Sequence, residues 1–159
     1  MHFYKRYRPE LIGAILCFTL GMIAGYSVSV SDSSWYLSLD KPTFNPPSWI
    51  FGPVWSVLYL MMGIALGKIW KARAAYRWPL MIFILKFVFN LAWSPLFFYC
   101  QRVDLALIDI SLLWICLVAL IVITYYNKNI FLLLLPYLMW VSFAWILNYN
   151  IYLLNGAAG

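Results

Sequence analysis

Five apolar runs, broken only by isolated polar residues, divide the chain: Leu11 to Val30, Trp49 to Trp70, Pro79 to Tyr99, Leu105 to Tyr126 and Ile130 to Leu154. Each is long enough to cross ~30 Å of hydrocarbon at a rise of ~1.5 Å per residue. Nothing alternates as a membrane barrel requires, so the pattern predicts an all-α fold, an integral membrane bundle of five transmembrane helices. Residues 1–159 read as a single domain with helices at about 11–30, 49–70, 79–99, 105–126 and 130–154. Residues 31–47 form the one long connection. That connection and the start of the second run, WYLSLDKPTFNPPSWIFGPVWSVLY from Trp35 to Tyr59, are dense in rings and hold four prolines. Proline fixes φ and rings seek apolar surroundings, so the stretch reads as a folded lid loop entering a helix, with Ser48 as the expected N-cap and Pro53 in the first turns.

Basic residues precede the first run, as in a signal peptide, but the run exceeds the ~7–15 residues of a signal core, and a retained helix is expected. Its Gly21 and Gly25 form a GxxxG pair, suited either to packing within the chain or to a dimer seam. Composition agrees with the membrane reading: 65% of residues are hydrophobic and 10% charged, against roughly 25% charged in soluble domains. Eight of the eleven Lys and Arg flank the N-terminus and the second and fourth connections, two lie on the other side, and Lys86 is within the third run. The positive-inside rule then puts the N-terminus in the cytoplasm of a bacterial-type cell membrane, with the lid opposite. Such clusters orient a membrane protein, and no nucleic-acid partner is expected. Cys17, Cys100 and Cys116 lack metal or disulfide spacing.

The only histidine is His2, so a hydrolase triad or a histidine-held metal inside the bundle is excluded, and no phosphate-cradling motif is present. No metal and no required cofactor are expected. Aromatic residues are what remains, 20% of the chain. Trp70, Trp78, Tyr99, Tyr125 and Tyr126 sit at run ends and suit an interfacial belt. Trp55, Trp93 and Trp140 lie deeper. Helical spacing puts Tyr59 on the face of Trp55, Asn90 on that of Trp93, and Ala144 and Asn148 on that of Trp140. A flat ring, a small residue and an amide on one face suit a planar, mostly apolar ligand, and core packing accounts for them equally well. Intramembrane Lys86 and Asp109 add two polar candidates: Lys86 either meets an acidic ligand group or snorkels, and Asp109 either faces the bundle or reaches the interface.

The patterns WY…L.KP.F.PP.W.FGPVW..LY..MG from Trp35 to Gly63, NLAWSPLFF from Asn90 to Phe98 and PYL.W..FA..LN from Pro136 to Asn148 resemble the tryptophan-rich sensory protein/translocator protein (TspO/MBR) family, also called the peripheral-type benzodiazepine receptors. The resemblance covers all five runs. It implies a five-helix bundle, commonly a homodimer, that binds porphyrins such as protoporphyrin IX beneath the first loop. By position, Trp35, Tyr36 and Pro42 match the lid, Trp55 the second helix, Asn90 and Trp93 the third, and Trp140 and Ala144 the fifth; Tyr59 and Asn148 complete the expected ligand-binding set. The expected function is a porphyrin receptor or sensor, with porphyrin transport and light- and oxygen-dependent porphyrin breakdown as alternatives. In the last case Trp55 and Trp140 are the expected redox residues. Ligand carboxylates are expected to meet Lys86, Lys41 or the interface. No basic residue follows Tyr149 or Tyr152, so the cholesterol motif of steroid-handling relatives is absent.

Overall fold

The structure is a computed structural model that describes residues 2–30 and 33–156, with side chains described from Tyr7 onward except at positions 27, 29, 30 and 33. Helix α1 spans His2–Val30, starting well before the apolar run and passing through Pro9. A short helix, α2, covers Ser33–Ser38, so the expected lid loop carries a helical turn and a half. A tight turn at Ser48–Ile50 leads into α3 (Phe51–Lys71). Ser48 is not the cap expected of it: Pro47 occupies the capping position, without a side-chain hydrogen bond. Helices α4 (Arg77–Ser94), α5 (Val103–Thr124) and α6 (Lys128–Asn155) complete the chain. All but α2 belong to segments long and apolar enough to cross a membrane. The protein is an integral membrane protein with five spanning helices.

The spanning helices close into a ring in the order α1, α3, α6, α5, α4, each touching the next. Small residues set the tightest contact. A Cβ added to Gly13 would run into the carbonyl of Gly63, one on Gly63 into the backbone of Ala14, and one on Gly67 into Glu10 and Pro9. The GxxxG pair that lets two backbones meet is therefore Gly63 and Gly67 on α3, not Gly21 and Gly25 on α1. An ion pair of 2.7 Å from Lys71 to Glu10 fastens the same end. Between α5 and α6 the joint is reciprocal. Trp145 Nε1 donates to Ser111 Oγ at 2.7 Å and Trp114 Nε1 to Ser142 Oγ at 2.9 Å. Each hydroxyl in turn donates to the carbonyl four residues back on its own helix.

Helix α4 ends in an unusual way. Pro95 lacks an N–H, and the chain from Pro95 to Tyr99 widens into a π-turn in which Cys100 N–H donates to Pro95 O at 2.9 Å. Gln101 then adopts a left-handed φ of 55° and Arg102 N–H returns to Leu96 O. Widened turns of this kind re-aim side chains by part of a turn. Here the turn buries Phe97 with Leu39, Val103, Ala106, Leu147 and Ile151 in a small cluster beneath the lid.

The lid is tied down at several points. Leu39 is buried in that cluster. Asp40 N–H donates to Asn155 Oδ1 at 2.8 Å while Asn155 Nδ2 donates to Asp40 O at 2.8 Å. This amide clasp joins positions 115 residues apart. Lys41 Nζ donates to the carbonyls of Tyr36 and Leu39, both at 2.7 Å, and lies over the Tyr36 ring. Its ammonium caps α2 instead of standing ready for a ligand carboxylate.

Candidate ligand cavity

Beneath the lid, among α1, α3, α4 and α6, lies a cavity of about 590 Å³, within the ~300–1,000 Å³ typical of small-molecule pockets. On α3, residues Phe51, Trp55 and Tyr59 follow one another at intervals of four and so share a face. Trp55 and Tyr59 have ring centroids 5.6 Å apart and planes tilted by 31°. From α4 come Asn90 and Trp93, with Phe97 from the π-turn stacked on Trp93 at 5.3 Å. Helix α6 contributes Ala144, Leu147, Asn148 and Ile151, and Tyr36 hangs from the lid. Burial pushes the Tyr36 phenol up from its usual value, opposed by the Asn45 side chain.

Two amides behave differently there. Asn148 is paired at both ends: its Oδ1 accepts Trp93 Nε1 at 3.0 Å and its Nδ2 donates to Val103 O at 3.1 Å. It holds the Trp93 ring in place and braces α6 against α4 and α5. Asn90 donates from Nδ2 to Tyr137 OH at 2.9 Å, yet its Oδ1 is buried with no partner among the described residues. An orphaned buried acceptor costs about 1–3 kcal/mol. Asn90 borders the cavity, and a ligand N–H or O–H there would satisfy it.

Of the residues expected at the site, the cavity gathers Tyr36, Trp55, Tyr59, Asn90, Trp93, Ala144 and Asn148, but not Trp35, Pro42 or Trp140. Trp35 packs edge-on against Phe97 at 5.7 Å, and Pro42 O accepts Asn45 N–H in a lid turn. Both shape the lid from behind the lining. Trp140 borders a shallow outer groove between α3 and α6 and packs on Phe51 and Phe143. Spacing by four placed it on the face of Ala144, but the half-buried indole lies on the groove side of Phe51, with its Nε1 buried and without a partner among the described residues. Of the two expected redox tryptophans, only Trp55 meets the cavity. Sequence reasoning missed Phe51 and Phe97, although the former lies four residues before Trp55 and the latter four after Trp93.

Lys86 meets neither expectation. It is 0% exposed, its Nζ donates to Met62 Sδ at 2.9 Å, and it lies 4.1 Å and 4.5 Å from the ring centroids of Phe83 and Tyr137. The side chain neither snorkels nor lines the cavity. Asp109 faces the bundle, with Oδ2 buried and without a partner among the described residues. Those residues hold no cluster of three or more His, Cys, Asp or Glu able to take a metal.

Five spanning helices in a closed ring, with an aromatic cavity under a clasped lid, define the class: a small polytopic membrane protein with an internal chamber. Comparison with known proteins makes this specific. The chain belongs to the TspO/MBR family, whose sequence profile matches residues 13–154. It is 42% identical over 146 residues to the tryptophan-rich protein TspO of Chlorobaculum tepidum, covering 88% of this chain and 91% of that one. It is 35% identical over 123 residues to the translocator protein of Homo sapiens, covering 74% and 73%. The tryptophan-rich sensory protein of Cereibacter sphaeroides is 31% identical, covering 76% of this chain and 77% of its own.

Proposed function

We propose that this protein is a membrane receptor that binds flat, mostly apolar ligands of the tetrapyrrole class, protoporphyrin IX among them, in the cavity beneath the lid. The observation that carries the reading is the lining: Trp55, Tyr59, Trp93 and Phe97 supply ring faces, Ala144 leaves room opposite them, and Asn90 offers an unpaired acceptor. Ring stacking and edge contacts hold an aromatic macrocycle, and one unpaired amide orients it. Names given to relatives, sensory protein and translocator protein, accord with a bound small molecule. A cytoplasmic N-terminus, a bacterial-type membrane and a homodimer belong to the same proposal, the first resting on the basic residues at that end of the bundle.

The test is a titration of the purified protein with protoporphyrin IX, read by tryptophan emission. Saturable quenching is expected. Ala144→Phe, which fills the chamber, should weaken it at least tenfold, whereas Trp140→Ala should change it less than threefold. Unaltered affinity in Ala144→Phe would overturn the assignment of the chamber.

A further inference from the structure

We propose that ligands enter the cavity sideways from the lid-side leaflet of the bilayer, through a mouth between the lid-side halves of α1 and α3, and not through the lid. The inference rests on the ligand-binding reading above and adds the route. Helices α1 and α3 touch backbone to backbone at Gly13, Gly63 and Gly67, where a Cβ has no room. Three turns further along α1, about 18 Å away at 1.5 Å per residue, no such close contact is found among the described residues. Gly25 on α1 and Gly52 on α3 both border the cavity, both are exposed, and a Cβ on either would meet no described atom within 4 Å. Between the two levels, Gly21 seats the Tyr59 ring, which forms the floor of the opening.

The residues beside this gap have two faces. Met22 and Tyr26 line the cavity and are nevertheless 56% and 67% exposed. A side chain that borders a chamber and the exterior at once marks a wall one residue thick. Met22 lies one turn inside the apolar span Tyr7–Tyr26 and Tyr26 is its last residue, so the exterior of that wall runs from the hydrocarbon edge to the interface of the lid-side leaflet. The lid contrasts with this seam. It is pinned by the Asn155 clasp, by buried Leu39 and by the Lys41 cap on α2. A flat hydrophobic compound partitions into the bilayer before it meets any protein, so the open lateral seam lies on its path and the pinned lid does not. Occupancy then follows the ligand's concentration in the leaflet.

The route can be read without porphyrin. In protein with Cys100→Ser and Cys116→Ser, leaving only the fully buried Cys17, Ala144→Cys places one thiol in the cavity. In vesicles, N-(1-pyrenyl)maleimide dissolved in the bilayer should label it, and a sulfonated maleimide in the water should not. Gly25→Leu with Gly52→Leu should slow labelling at least tenfold, and each alone by a smaller factor. Leucine is a better helix former than glycine and its Cβ meets no described atom at either site, and an unchanged helical circular dichroism checks the fold. Asn155→Ala should change the rate less than twofold. Equal labelling from water, an unchanged rate with the mouth filled, or faster labelling in Asn155→Ala would each overturn the route. Labelling that rises on diluting the protein in lipid would also overturn it, by showing a second copy of the chain over the mouth. An intact labelling pattern without porphyrin quenching would still support the route while removing porphyrin as the ligand.

Discussion

Lys86 carries the sharpest physical tension in the molecule. Its amine is enclosed by Met62, Phe83 and Tyr137, with no carboxylate in salt-bridge range among the described residues. Ring faces and a thioether recover only part of the cost of burying a cation. Methionine has nearly the same shape, so Lys86→Met should stabilise the protein by about 1–3 kcal/mol, seen as a higher midpoint of thermal unfolding in detergent. A lower midpoint would show that the amine has an essential partner. The Asn148 amide makes the opposite case, since both of its ends are paired and it braces three helices. From the sequence, Lys86 and Asn148 were both polar residues inside a span with a ligand among their expected partners. A polar residue in a span announces that it avoids lipid, but its choice of partner depends on atoms brought in from other helices.

At the scale of elements, glycine spacing and the Ser-x-x-Trp pattern decide which helices meet. Gly21 and Gly25 satisfy the same GxxxG rule as Gly63 and Gly67, yet only the second pair lies in a backbone contact with another helix. The two pairs should respond in opposite ways. Gly63→Leu must push α1 from α3 and should destabilise the fold by about 3 kcal/mol or more, whereas Gly25→Ala should be neutral or stabilising by up to about 1 kcal/mol; chemical unfolding in mixed micelles measures both. The reciprocal clasp of α5 and α6 rests on Ser111-Leu-Leu-Trp114 and Ser142-Phe-Ala-Trp145, two copies of one spacing. That repetition stands in the chain, but sequence reasoning missed it; the structure shows it tying two antiparallel helices in both directions. The π-turn after Ser94 was less legible. Proline signals a local break, but whether the helix kinks, stops or widens is settled by what the freed carbonyls can find.

For the molecule as a whole, topology has a direct consequence. Cys100 is exposed at the lid-side end of α4, and Cys17 is buried in the bundle. Under the proposed orientation, with the N-terminus in the cytoplasm, a membrane-impermeant thiol reagent added to intact cells should label Cys100, and Cys100→Ser should abolish that labelling. Labelling only after permeabilisation would reverse the orientation. The number of spans, their approximate ends and the place of the lid were readable from the chain, and seven of the ten residues expected at the site border the cavity. Hydrophobic length and turn chemistry are local properties, and lipid requires each span to satisfy its own backbone. The packing of Trp140 on Phe51 and Phe143, the capping role of Lys41, the clasp of Asn155 on Asp40 and the open space beside Gly25 and Gly52 came from tertiary structure. Each depends on how helices distant in sequence tilt and rotate against one another. A run of apolar residues fixes that a helix crosses the membrane; only packing against its neighbours fixes which side chains border the chamber and which face the lipid.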